Sequence, residues 1–301
     1  MKQLSIVTVI LSVGSACNAA EIWATSYLSN QITRYNDAGN VIGTISHESL
    51  SGPLGMTRGA NGDVFVANEL SNKIDRYRAN DGTWVGTYAA GAGLNGPTSI
   101  IFDASGNGYV GNFNDSSVAK YSPSGTFLGY FVNPGTGGLN GPDVGMTFGP
   151  DGNLYVPSFY GHKVMKFDKG TGAYLGDFVG FKAGGLTQPR TIIWHNGIAL
   201  VTSDNGNKVI KYDGVTGAPL GNLVTTGLSG ASGMLNLNGQ LLVTSWRTDR
   251  ISKYDVTSGA ALGVFSSEQL DGPTFIMAVP EPSTFAMMLG LAVILLKRRP
   301  K

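Results

Sequence analysis

Six side chains in this 301-residue sequence carry the chemistry worth following: Asn68, Asn112, Asp143, Arg190, Asp204 and Trp246. Each falls where a short strand-like run begins or ends, and Glu69 and Ser158 stand at similar points. Carboxylate and amide oxygens converging from several strands are what a hard divalent cation takes as ligands, and Asn68, Asn112, Asp143 and Asp204 supply such oxygens. Phe113, Phe159, Tyr160 and Trp246 lie in or beside the same loops and offer flat faces on which sugar rings stack. Histidine chemistry is thin. Acid–base catalysis by histidine needs the imidazole beside a metal or a second acid, and nothing in the spacing ties His47, His162 or His195 to one. At matching positions Ser26, Thr98 and Ser232 are small or neutral, and no Glu opens an inner run. The sequence therefore favours solvated loop side chains over a metal site, and it assigns no catalytic residue, cofactor-binding residue or metal ligand. The six side chains remain candidate ligand contacts, and a divalent cation remains the alternative.

An internal repeat must place these residues. A basic-aromatic pair recurs as Arg34-Tyr35, Arg76-Tyr77, Lys120-Tyr121, Lys166-Phe167, Lys211-Tyr212 and Lys253-Tyr254, at spacings of 42, 44, 46, 45 and 42 residues. A period in the low to mid forties, built from four short runs, is that of a β-propeller blade. With strands lettered a to d from the axis outward, a is the Gly-Met-Thr-Phe run and b is Leu-Tyr-Val. Strand c is Val-x-Lys-Tyr and d is Leu-Gly-x-Phe. Asn-Gly and Asp-Gly steps at Asn61-Gly62, Asp151-Gly152, Asn196-Gly197 and Asn238-Gly239 supply the a–b hairpin turns. Alternation in c sends Val164 and Lys166 to one face and Met165 and Phe167 to the other, so both faces of a blade have apolar material for its neighbours.

The first repeat opens with a b strand at Glu21, whereas the last ends with an a strand, Gly272 to Ala278. These orphan ends complete each other. The expected fold is all-β, a six-bladed propeller of four-stranded blades over residues 21–279, closed when the C-terminal strand pairs with the N-terminal strands. Phe275, Ile276 and Met277 are expected to be buried in that closure.

The termini point to export. Met1-Lys2, the apolar stretch Leu4–Val13 and the small residues Ser15 to Ala20 read as a signal peptide over residues 1–20. Cys17, the one cysteine, lies within it, so the propeller must be stable without disulfides. At the other end, residues 280–301 run from Pro280-Glu281-Pro282 through an apolar segment, Phe285–Leu296, to Lys297, Arg298 and Arg299. Twelve residues of helix rise about 18 Å, so the segment spans a membrane only with help from its flanks. Basic residues after an apolar run hold that end in the cytoplasm and leave the preceding domain on the far side. Five of the 21 Lys and Arg lie in these terminal segments, so the body between them is acidic overall, and nucleic acid is excluded as a partner.

The tail resembles the PEP-CTERM sorting signal, in which a Pro-Glu-Pro motif, a short membrane segment and a basic cluster follow in that order. The resemblance implies an exosortase-type processing enzyme as partner, passage through the inner membrane, and delivery to the cell surface or extracellular matrix. The repeats, in phrases such as Met146-Thr-Phe-Gly-Pro-Asp-Gly-Asn-Leu-Tyr-Val156 and Lys163-Val-Met-Lys-Phe-Asp168, resemble NHL-type six-bladed propellers, a group also similar to streptogramin lyases and gluconolactonases. That resemblance implies a fold and leaves two functions open. One is a non-catalytic binding or structural role, with polysaccharide or protein as the surface partner. The other is a lactonase- or lyase-like enzyme with a metal at the channel mouth.

Overall fold

Between Ala20 and Pro280, the residues that the computed structural model describes, each repeat folds into one four-stranded antiparallel sheet, giving six sheets in all. The molecule is an all-β six-bladed propeller. Inner strands are Pro53–Arg58, Pro97–Phe102, Thr147–Phe148, Pro189–His195 and Ala231–Leu237 in blades 2 to 6, and Pro273–Pro280 in blade 1. That last strand pairs with Ala20–Ser26, followed outward by Gln31–Tyr35 and Val41–Ile45, so the two ends of the chain share a blade as the repeat requires. Pairing extends from Ala20 opposite Pro280, one residue past each expected boundary. In blades 5 and 6 the a–b hairpins turn on Asn196-Gly197 and Asn238-Gly239, both residues of each pair having positive φ.

Apolar side chains gather in six clusters, one between each pair of neighbouring blades. Strand c shows how alternation builds them. Val164 packs toward blade 5 with Ile192 and Val201, while Met165 and Phe167 pack toward blade 3 with Tyr109 and Val118. The aromatic of the repeated pair is buried in every blade. In the five blades where it is a tyrosine, its hydroxyl bonds the connection arriving from the preceding blade, as in Tyr121 Oη to Ala92 O at 2.7 Å and Tyr254 Oη to Thr226 O at 2.9 Å; Phe167 of blade 4 lacks that bond. Its basic neighbour stays near the edge, pairing in Arg34–Glu21 and Lys166–Asp151.

The closing strand differs from expectation in one respect. Ile276 and Val279 are fully buried, whereas Phe275 and Met277 are only half-buried. Alternation sends Ile276 to the interface with blade 6, and turns Phe275 and Met277 onto the rim of the interface with blade 2.

The inner strand of blade 4 is also shorter than expected. Its pairing is reduced to Thr147–Phe148 and an isolated bridge from Pro142 to Ser158, leaving Gly145 and Met146 outside. In the other blades the step from the first inner residue to the first apolar anchor is Pro53 to Met56, Pro97 to Ile100, Pro189 to Ile192, Ala231 to Met234 and Pro273 to Ile276. In blade 4 it runs from Pro142 to Met146, so one extra residue is present. An extra residue in one strand breaks the ladder and re-aims neighbouring side chains. Gly145 N–H accordingly leaves its own blade and donates to Arg190 O at 2.9 Å. A side chain at Gly145 would collide with Thr191, so blades 4 and 5 are pressed together beside the axis.

Among the described residues no helix is long and apolar enough to cross a membrane. Residues 1–19 of the expected signal peptide, and Glu281, Pro282, Lys297, Arg298 and Arg299 of the sorting signal, lie outside the described residues, whereas Ala20, the last residue of that expected peptide, opens the first strand. Pro280 closes the last strand.

Candidate functional site

Two rings of equivalent positions meet at the channel mouth. The upper ring is the first residue after each b strand: Tyr27, Glu69, Phe113, Phe159, Asp204 and Trp246. Each is fixed by its backbone, its N–H donating to the carbonyl just before the inner strand of its own blade, on Gly272, Gly52, Gly96, Gly141, Gln188 and Gly230 respectively. The lower ring is the second residue of each inner segment: Thr274, Leu54, Thr98, Asp143, Arg190 and Ser232. Inner strands lose register at this level, and such irregularities turn side chains toward a site. Together the rings enclose a cavity of about 230 Å³, walled by Tyr27, Phe113, Phe159, Tyr160 and Trp246 around Glu69, Asp143 and Arg190.

Asn68 and Asn112 stand one residue earlier, at the last position of their b strands, and do not line this cavity. They belong to a clasp repeated six times. Side-chain oxygens of Ser26, Asn68, Asn112, Ser158, Ser203 and Ser245 accept a backbone N–H from the loop entering the inner strand, on Asp271, Ser51, Asn95, Asn140, Thr187 and Ser229 respectively. All six are buried, so they are fastenings for loops and differ from the solvated side chains expected at these points.

The histidines are similarly occupied. His162 has positive φ and its Nδ1 accepts the Gln188 N–H at 3.0 Å. Asn30, Asn72, Asn207 and Asp249 do the same in other blades, so His162 is one version of a turn residue. Burial and nearby Lys182 push it below the ordinary imidazole range. His47 stacks on Trp84 and bonds Ser49 Oγ, while His195 contacts Asn236 and Asn196. None of the three lines the cavity.

The charged centre is a clamp on Arg190. Its Nη1 donates to Asp143 Oδ2 at 3.1 Å and its Nε to Asp204 Oδ2. Asp204 also takes Arg247 Nη2 and the Trp246 indole N–H, the latter at 3.0 Å. Both acids are sealed, with side chains 2% and 1% exposed. The guanidinium lies 4.8 Å from the Phe159 ring centre and 5.7 Å from that of Trp246, within range of cation–π attraction. Burial pushes the Asp143 carboxyl up to about 6, against the pull of Arg190 and of the Val144 N–H, with Asp204 and Glu69 adding repulsion. Burial works against the Arg190 charge, and Asp143, Asp204 and Glu69 more than offset it. Burial, with the same Glu69 adding to it, pushes the Tyr27 phenol up.

These residues do not fit a divalent cation. Such an ion needs several oxygens turned onto one point, whereas a guanidinium separates Asp143 from Asp204 and the amides of Asn68 and Asn112 are committed to clasps. No group of three His, Cys, Asp or Glu among the described residues has metal-binding geometry.

Of the six sequence candidates, then, Asp143, Arg190 and Trp246 line the cavity, Asp204 holds two of them in place, and Asn68 and Asn112 serve the loops. Tyr27, Leu54, Thr274 and Arg247 were absent from the sequence expectation. Aligning the first residue after every b strand would have found Tyr27, and aligning the residue after each inner proline would have found Leu54 and Thr274.

No protein-family profile matches the chain, and no curated protein matches it. Solved structures do match its fold. A protein of unknown function from Bacteroides caccae superposes with a TM-score of 0.67 at 15% identity, covering 87% of this chain and 100% of the other. A chain of a nidogen/laminin complex gives 0.73 at 13% identity, over 86% and 98%. Virginiamycin B lyase from Staphylococcus aureus gives 0.62 at 16% identity, over 88% and 92%. At such identities the likeness is one of fold, and it spans a binding protein and an enzyme alike.

Proposed function

We propose that this chain is an exported propeller of the cell surface or extracellular matrix that recognises a surface polysaccharide or protein through its channel mouth without transforming it. The observation that carries the binding role is the Arg190 clamp. A buried ion network is a poor way to gain stability, since apolar side chains of similar volume do as well or better. Holding a guanidinium between Asp143 and Asp204 inside a wall of aromatic rings is instead how a rigid, polar recognition surface is made.

The lyase alternative draws on fold likeness alone. A histidine-to-alanine variant of the S. aureus lyase is described as catalytically inactive, and here the three histidines lie away from the cavity. The metal-centred alternative meets the misfit of Asp143 and Asp204 described above.

Export rests on the termini. The signal peptide read over residues 1–20 and the Pro280-Glu281-Pro282 tail with its Lys297-Arg298-Arg299 cluster support passage across the inner membrane and processing by an exosortase-type enzyme.

Two measurements test the proposal. Mass spectrometry of the protein released by its own host should give a mass lacking residues 285–301, and retention of that segment would remove the sorting reading. Incubation of purified protein with surface polysaccharides and peptides should raise its melting temperature without producing cleaved or rearranged product. Turnover would replace the binding role with an enzymatic one.

A further inference from the structure

The mouth pocket has features that narrow its ligand, on the footing that it is a binding site. Its volume, about 230 Å³, is below the roughly 300–1,000 Å³ of pockets that hold drug-sized molecules, so it admits one ring and not a length of chain. Its charges are arranged in opposition. Arg190 projects from blade 5 and Glu69 from blade 2, on opposite sides of the six-fold mouth. Arg190 commits Nε and Nη1 to the two aspartates, and its Nη2 makes no hydrogen bond to a described residue. Glu69 makes no ion pair with a described residue. One side of the cavity therefore offers a guanidinium donor and the other a carboxylate acceptor.

Charge selects against ionic ligands. A cation would meet Glu69 but share the small cavity with Arg190, whose guanidinium already lies over Phe159 and Trp246. An anion would meet Arg190 but share it with Glu69 and Asp143. An uncharged ring with several hydroxyl groups answers both sides, because each hydroxyl donates and accepts, and its C–H faces suit aromatic walls. Tyr160, at the rim and 54% exposed, leaves an edge from which the rest of a chain can emerge.

We propose that the pocket takes a single uncharged pyranose unit at the end of a glycan, its hydroxyl groups bridging Arg190 Nη2 and the Glu69 carboxylate between the aromatic walls. The test is calorimetric titration and saturation-transfer NMR of the purified full-length protein. Probes are neutral di- and trisaccharides of glucose, galactose and mannose, the same saccharides ending in a uronate, and short basic and acidic peptides. At least one neutral saccharide should bind, with its uronate-ended counterpart weaker by about tenfold or more, near 1.4 kcal/mol. Glu69→Gln and Tyr160→Ala should each reduce the neutral saccharide's affinity at an unchanged melting temperature. Uronates or peptides competing for this pocket while neutral saccharides stay silent would overturn the sugar assignment and leave the binding role intact. Chemical conversion of a bound neutral saccharide would uphold the assignment and overturn the non-catalytic role. Silence of every probe would overturn the assignment.

Discussion

Arg190 carries three demands at once: it neutralises two sealed acids, it caps two aromatic rings, and it leaves one nitrogen for a ligand. Removing one partner of a buried pair leaves uncompensated charge, at a cost of about 3–5 kcal/mol. Arg190→Met should therefore destabilise the protein on that scale in urea titrations, and adding Asp143→Asn and Asp204→Asn should recover most of the loss. A single substitution as mild as a surface change would mean that the clamp is solvated. Asp143 gives a second prediction. A carboxyl near 6 in the folded state, against about 4 in the unfolded chain, binds its proton more tightly when folded. Its contribution to stability is fully present below about pH 4 and is lost as pH rises through about 6. Asp143→Asn should flatten that decline in a series of melting temperatures, and a slope unaltered by the substitution would place the titration elsewhere.

At the scale of elements, the strand ends decide which residues face the channel and which fasten loops. Asn112 accepts the Asn95 N–H and donates to Gly93 O and Ser117 Oγ. Leaving such buried partners unsatisfied costs about 1–3 kcal/mol, so Asn112→Ala should lower stability on that order while pocket affinity stays within about twofold. The opposite pattern, weaker binding at full stability, would return Asn112 to the ligand site. This division explains how much of the site was legible. Residue types at the mouth could be named from the repeat because strand order fixes which loops gather there. Their directions could not, because a one-residue step along a twisted strand end separates Asn68, in a clasp, from Glu69, in the cavity. The extra residue between Pro142 and Met146 was countable in the sequence, yet its effect, turning Gly145 onto Arg190 O, depends on how blades 4 and 5 pack.

At the scale of the whole molecule, the fold itself was legible because the repeat is redundant. Six copies of the basic-aromatic pair, with a b strand at one end and an a strand at the other, admit few arrangements besides a closed ring. The share of burial at the closing strand was less legible, since which face of Pro273–Pro280 meets which neighbour follows from the ring's geometry. Ile276 and Val279 each contribute about 1.5–3 kcal/mol by full burial, a sum large beside the roughly 5–15 kcal/mol of a typical domain. Deleting residues 273–280 should therefore give a product that aggregates or lacks a cooperative melt. A monomeric deletion variant melting at the parent temperature would show that blade 1 does not need its inner strand.

What separates a recognition surface from a metal-centred catalytic one here is the group standing between Asp143 and Asp204. Titration of the purified protein with manganese, followed by electron paramagnetic resonance, addresses that group directly. With Arg190 in place the aqueous manganese signal should persist at stoichiometric protein, and Asp204→Asn should change nothing. Stoichiometric loss of the aqueous signal, restored by Asp143→Asn or Asp204→Asn, would mean that these carboxylates hold a metal at the channel mouth.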